Sequence, residues 1–113
     1  MSGYFELKTT KAGKPMFNLK AGNHEIILTS QPYNSMDAAK AGIESVRKNG
    51  PNEAMFERKE SGKGEPYFVL KASNGQIIGQ SEMYTSTAGR DNGIASVMRN
   101  AVSEKVVEVK AES

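Results

Sequence analysis

Two short stretches near the start of the chain alternate. Phe5 and Leu7 fall on one side of residues 4–9, while Tyr4, Glu6 and Lys8 fall on the other. In residues 16–21, Phe17, Leu19 and Ala21 oppose Met16, Asn18 and Lys20. Successive side chains leave a strand in opposite directions, so a period of two with one apolar side predicts half-buried strands. Lys11-Ala12-Gly13-Lys14-Pro15 lies between them and supplies turn residues, which makes the pair a hairpin. Asn23-His24, and Asn74-Gly75 further on, precede the apolar runs Ile26-Ile27-Leu28 and Ile77-Ile78. Asn-Gly predicts a two-residue turn with positive φ at both positions, and hence a third antiparallel strand.

The period then changes. Ala39, Gly42, Ile43 and Val46 recur at helical spacing. Ser35 precedes them as a cap for free N–H groups, and Asp37 favours the positive helix end. Asn49-Gly50-Pro51 predicts the stop, through a residue that tolerates left-handed backbone followed by a proline. A second helix is expected from Ser86 to about Asn100. Gly89, Asn92 and Gly93 argue against it by propensity, and its parallel with the first helix argues for it.

That parallel is an internal repeat. Residues 3–53 and 54–104 align without a gap, and 21 of the 51 pairs are identical, among them Phe17/Phe68, Ser30/Ser81, Tyr33/Tyr84, Gly42/Gly93 and Asn49/Asn100. Average composition predicts roughly three identities. Two fifty-residue units are too few for a solenoid, and each is marginal alone, so a pseudo-twofold pair is expected. Val107-Glu108-Val109-Lys110 echoes Phe5-Glu6-Leu7-Lys8 and Phe56-Glu57-Arg58-Lys59. Each copy is therefore three strands, a helix and a closing strand, with residues 54–60 closing the first copy and opening the second. The organisation expected is a single domain, 1–113, made of repeats 3–53 and 54–104 plus a closing strand 105–110. Arg58 interrupts the apolar side that Leu7 and Val109 keep.

Leu19-Lys20-Ala21 with Asn23 and Ile26-Ile27, the twin run from Leu70 to Ile78, and Gly42-Ile43-Glu44-Ser45-Val46 resemble the YegP-like family of small bacterial proteins of unknown function. The resemblance covers nearly the whole chain. It implies an α+β fold in which two β-β-β-α-β units form one antiparallel sheet with two helices on one face and closing strands exchanged between units. It supplies no catalytic residues.

Composition bounds the function without choosing it. The 113 residues are 37% hydrophobic and 25% charged, as in soluble globular proteins. A net charge of +2 is smaller than a dedicated nucleic-acid binder usually carries. The absence of cysteine excludes disulfides, thiolate catalysis and zinc–thiolate sites. No apolar run approaches the roughly 20 residues needed to span a bilayer. Met1-Ser2-Gly3-Tyr4-Phe5-Glu6 does not resemble a secretory signal, so the expected location is cytoplasmic, with no membrane association.

Candidate chemistry is sparse. His24, the sole histidine, falls in a predicted turn where its twin is Gly75, which favours a structural role. Asp37 and Asp91 lack ligand spacing, and Ser61-Gly62-Lys63-Gly64 lacks the spacing and helix of a phosphate loop. No catalytic residue, metal ligand or cofactor is assigned. Tyr33 and Tyr84 are expected to pack loops onto the core, and Gly42 and Gly93 to allow close approach of helix to sheet.

The remaining candidate is the helix-free face of the sheet. It is expected to present Tyr4, Met16, Met55, Tyr67 and Val69 with Lys8, Lys20, Lys59 and Lys71, opposed by Glu6, Glu57 and Glu108. Glu6 across from Lys20, and Glu57 across from Lys71, are ordinary cross-strand pairs. The ligand-binding set drawn from this face is Tyr4, Lys8, Lys20, Lys59, Tyr67 and Lys71. The reading that follows is a monomeric, non-enzymatic module that binds a protein or small ligand. A weak nucleic-acid binder is the alternative, because aromatics among lysines stack bases and neutralise phosphates, and an enzyme of unrecognised type is the third.

Overall fold

The computed structural model describes residues 3–109. In chain order the elements are β1 (Tyr4–Thr9), β2 (Pro15–Lys20), β3 (Ile26–Ser30), α1 (Met36–Asn49), a 3₁₀ turn (Glu53–Met55), β4 (Phe56–Glu60), β5 (Pro66–Lys71), β6 (Ile77–Gln80), α2 (Thr87–Asn100) and β7 (Val106–Val109). One seven-stranded sheet runs β4-β5-β6-β3-β2-β1-β7. The two halves meet where β3 pairs antiparallel with β6, Thr29 opposite Gln80. These two residues are twins under the 51-residue repeat, so the pseudo-twofold axis passes between them.

The local rules are duplicated in detail. Ser35 Oγ accepts from Ala38 N–H at 3.1 Å, and Ser86 Oγ from Gly89 N–H at 3.0 Å, so both serines are N-caps. Phe17 N–H donates to Ser30 Oγ at 2.9 Å and Phe68 N–H to Ser81 Oγ at 3.0 Å, which keeps each buried hydroxyl satisfied where β3 and β6 end. Both helices lie on the face that carries Phe5, Phe17, Phe56 and Phe68, and the buried apolar residues of the two halves form one cluster. Gly42 and Gly93 do permit a close approach, but what approaches is tyrosine. A Cβ built on Gly42 would lie 2.3 Å from Tyr33 Oη, and one on Gly93 2.2 Å from Tyr84 Oη. Each tyrosine stacks on a core phenylalanine, Tyr33 on Phe17 and Tyr84 on Phe68. Burial raises the ionisation of both phenols above the ordinary value.

Four expectations are corrected. The sheet is mixed, because β7 runs parallel to β1 with Phe5 opposite Val106 and Lys8 opposite Val109. The strand after α2 arrives in the direction that β4 takes after α1, and by the twofold this is the direction of β1. The β1 slot is already filled, so the strand docks outside it, on the other half's edge. This register places Val107 and Val109 on the helix-free face beside Glu6 and Lys8, and turns Val106 and Glu108 to the helix side. Lys110, the expected last residue of that strand, lies outside the described residues.

The turns at Asn23-His24 and Asn74-Gly75 are also one residue longer than expected. Ala21 N–H donates to Glu25 O, His24 N–H donates to Ala21 O, and only the last loop residue has positive φ: His24 at 71° and Gly75 at 85°. Gly13 and Gly64 repeat this in the first hairpin of each half. All four loops thus have three residues and one left-handed position. At the end of α1, Gly50 is right-handed (φ −58°), so no left-handed cap forms there. Glycine is needed for space instead: a Cβ would lie 2.4 Å from Ala101 Cβ and 2.6 Å from Val46 O. Finally, Met55 belongs to the 3₁₀ turn and not to a strand.

Candidate functional site

The helix-free face of the sheet has three zones. The first is central. Ile26, Thr29, Ser30 and Gln31 meet their twins Ile77, Gln80, Ser81 and Glu82 around a groove of about 500 Å³ that straddles the axis. Ile26 and Ile77 are exposed, at 39% and 40%. A bulge in each half explains this: between Leu19 and Lys20 the register shifts, so Lys20 faces Ile26 and Ile27 turns into the core, and Lys71 faces Ile77 likewise.

The second zone is a corner of the first half. Tyr4 pairs with Lys20 across β1 and β2. Tyr4 Oη and His24 Nδ1 are 3.1 Å apart, with the imidazole edge-on to the phenol ring. Two ammonium groups lie against the same ring, Lys105 Nζ at 5.5 Å and Lys20 Nζ at 6.0 Å from its centroid. Lys20 also donates to Glu6 Oε2 at 3.0 Å. That hydrogen bond raises the lysine's ionisation above the ordinary value, against a smaller opposing effect of burial. Residue by residue, the twin of this corner is different: Tyr4 corresponds to Met55 and His24 to Gly75, and no strand lies outside β4 to supply a counterpart of Lys105. There a hollow of about 370 Å³ remains, lined by Met55, Glu57, Lys71, Ser73 and Gly75 among others.

The third zone belongs to the second half. Lys59 faces Tyr67, and Glu57 lies between Lys71 Nζ at 2.5 Å and Lys59 Nζ at 3.7 Å. The Lys71 ammonium, then that of Lys59, holds the Glu57 carboxyl below its ordinary value despite some desolvation.

The six residues chosen from sequence are therefore not one site. Tyr4 and Lys20 converge in the first corner, whereas Lys59, Tyr67 and Lys71 gather around Glu57 in the other half. Lys8 sits further along β1, opposite Met16. Val69 shares this face through its register with Glu57, yet it is only 2% exposed. Glu108 leaves the face altogether. Sequence reasoning missed Lys105, whose position depends on the parallel docking of β7, and it set His24 aside as a turn residue. The signal for His24 was present: a side chain retained where the twin uses glycine, in the turn next to the strand end that pairs with Tyr4. Among the described residues no three His, Asp or Glu side chains come together as a metal-binding group. No described helix is long and apolar enough to cross a membrane.

Comparison with known proteins agrees with this architecture. The family model described as Domain of unknown function (DUF1508) matches twice, at residues 10–57 and 61–108. The chain is 58% identical over 101 residues to a UPF0339 protein of Bordetella pertussis, covering 89% of this chain and 90% of that one. It is 50% identical over 107 residues to the UPF0339 protein YegP of Yersinia pestis, covering 95% and 96%. The solution NMR structure of the protein of unknown function yegP from E. coli superposes with a TM-score of 0.93 at 46% identity, covering all of this chain and 97% of that one.

Proposed function

The chain belongs to the uncharacterised UPF0339 (YegP-like) family, and on that premise we propose that it is a non-enzymatic binding module whose helix-free sheet face holds a small ligand. The observation that carries this reading is the groove across the axis. Its volume of about 500 Å³ falls in the range of small-molecule sites. Its two exposed isoleucines offer an apolar floor, and Thr29, Gln31, Gln80 and Glu82 offer hydrogen-bonding groups at the rim. A ligand with an apolar body and polar ends fits that arrangement.

The lysines of this face support a binding role more than a catalytic one. Lys20 is engaged by Glu6, and both Lys59 and Lys71 are engaged by Glu57, so their charges stabilise the face. The same pairing weakens the nucleic-acid reading. We place the protein in the cytoplasm as a monomer, since the fused second copy supplies the surface that a separate subunit would otherwise cover.

The test is an NMR screen of the ¹⁵N-labelled protein against fractions of a small-molecule extract. The expected result is saturable shifts of the Ile26, Thr29, Ile77 and Gln80 amides, lost in Ile77→Lys without a fall in Tm. Shifts confined to the helix side, or binding only of single-stranded RNA at low salt, would overturn the reading.

A further inference from the structure

We propose that the Tyr4–His24 corner is a phosphate-binding site that fixes the anionic end of the ligand held in the groove. The inference rests on the groove reading and names what the ligand carries. The duplication provides an internal control for it. The second half forms the same three strands and turns with Met55 and Gly75 in place of Tyr4 and His24, and it has no strand outside β4 to bring up a counterpart of Lys105. The fold therefore does not need a phenol or an imidazole at these positions.

One of the two differences works against the fold. His24 holds φ at 71°, the only positive value outside glycine among the described residues. A residue with a Cβ costs about 1–2 kcal/mol in that region. The cost is borne at a site where the ring meets Tyr4 Oη.

With the Tyr4 O–H donating to His24 Nδ1, the ring carries its proton on Nε2 and the corner presents donors. The Tyr4 hydroxyl and His24 Nδ1 share one hydrogen bond, which leaves Nε2 directed away from the phenol. Lys105 is held in place by its backbone, since Phe5 N–H donates to Lys105 O at 2.9 Å, and its ammonium reaches the Tyr4 ring. Lys20 Nζ lies 6.0 Å from the same ring centroid, but its charge is engaged by Glu6, so Lys105 is the cation of the corner that the proposal uses. An imidazole and the Lys105 ammonium beside one half-buried phenol match a phosphate monoester, whose oxygens accept charge-assisted hydrogen bonds.

The corner is continuous with the groove. Tyr4 faces Lys20, and Lys20 faces Ile26, which lines the groove. That row spans two inter-strand steps, about 10 Å. The ligand class is therefore a phosphate ester with an apolar or aromatic body at that distance from its phosphorus.

The probes are inorganic phosphate and AMP, titrated into ¹⁵N-labelled protein at low ionic strength, with chloride at matched ionic strength as reference. Phosphate is expected to shift the amides of residues 4–6, 22–25 and 104–106 and to leave those around Met55 and Gly75 unmoved. AMP is expected to bind at least about fivefold more tightly and to extend the shifts to Ile26 and Thr29, since its body adds contacts in the groove. Equal affinity with shifts confined to the corner identifies free phosphate as the source. His24→Gly installs the twin residue and Lys105→Ala trims an exposed side chain, so both variants should fold as the parent does. Each is expected to weaken phosphate binding by about fivefold or more, the loss of one charge-assisted contact. Phosphate shifts spread over all lysines, or affinity unchanged in both variants, would sink the proposal. If extract ligands still shift Ile26 and Ile77 in that event, the groove reading stands without the phosphate site.

Discussion

The two halves agree at their caps, buried serines and tyrosine–glycine contacts, and differ where a residue of the core meets its own twin on the axis. Caps, satisfied serines and tyrosine–glycine contacts are reproduced to within a few tenths of an ångström. On the axis the pattern reverses. A Cβ on Gly79 would lie 2.9 Å from Cγ of its own twin, Leu28. Gly50 faces its twin Ala101 in the same way. Two identical side chains there would claim one space. A homodimer of a single unit has to settle that conflict with one residue type on both sides, whereas a fused pair can place a large residue against a small one. Gene fusion thus permits interdigitated packing on the axis, where symmetry forbids it.

The largest effect expected breaks this complementarity. Gly79→Leu forces a second leucine against a fully buried one, and overpacking of that kind costs about 3 kcal/mol. Leu28→Gly leaves a void and costs about 3–5 kcal/mol. The exchange of both, L28G/G79L, restores the volume with the roles reversed, and its loss should fall at least about 2 kcal/mol short of the sum of the two single losses. Urea midpoints of the three variants measure this. A double variant as unstable as the two losses added would show that the twins do not share a space.

Next in size is a pair of substitutions that should behave alike. Gly42→Ala and Gly93→Ala gain about 1 kcal/mol of helix propensity, yet each drives a methyl into a tyrosine hydroxyl. The net cost is about 1–2 kcal/mol in each half, equal to within about 0.5 kcal/mol because the two clash distances agree. Tyr33→Phe removes the nearest atom and should rescue part of the first loss without touching the second. The phenols also shape the alkaline limb. Their ionisation is raised in the folded state, so their contribution is complete below the ordinary value of about 10 and is lost as pH rises through the folded value.

What the sequence disclosed follows the same division. The repeat, both helices, their serine caps and the existence of all seven strands could be read from periodicity and identity, because those features depend on neighbours along the chain. The direction of β7 could not. Its echo of Phe5-Glu6-Leu7-Lys8 reported kinship with β1, but kinship does not say whether the slot is occupied. Nor could the turn length: Asn74-Gly75 fits a two-residue loop, and only the Ala72–Gln76 pairing shows that Ser73 belongs to the loop as well. Gly50 was read as a conformational glycine and proved to be a steric one, since its partner Ala101 lies 51 residues away. The Tyr4 corner was half legible, through the Tyr4 and Lys20 pattern, while Lys105 joined it only through the docked strand.

The turns sharpen the comparison at a smaller scale. His24→Gly relieves a left-handed β-carbon and should stabilise the protein by up to about 1 kcal/mol, after the exposed contact with Tyr4 is lost. Gly75→His, the reverse change in the twin, should cost about 1–2 kcal/mol, with Met55 there in place of a phenol. Thermal melts of both variants check the opposite signs.

The smallest effect concerns the two ends of the sheet. At one end Leu7 is buried and β7 lies outside it; at the other β4 is the edge, and Leu7's twin is Arg58. An apolar side chain there would face water, and a charged edge also resists pairing with other chains. Arg58 instead reaches Asp91 on α2 at 3.0 Å and Glu53 at 3.2 Å. The first of these pairs, with Arg90 adding to it, holds the Asp91 carboxyl below its ordinary value. A carboxylate depressed in the folded state adds stability above its unfolded value, near 4, and loses it as pH falls through the folded one. Arg58→Leu, which installs the twin residue, should therefore lower the urea midpoint slightly at pH 6 and leave it nearly level with the parent at pH 3. The parent must then fall further than the variant between these two pH values. Parallel acid slopes in the two proteins would mean that Arg58 and Asp91 do not pair in solution, and that the edge is guarded by charge alone.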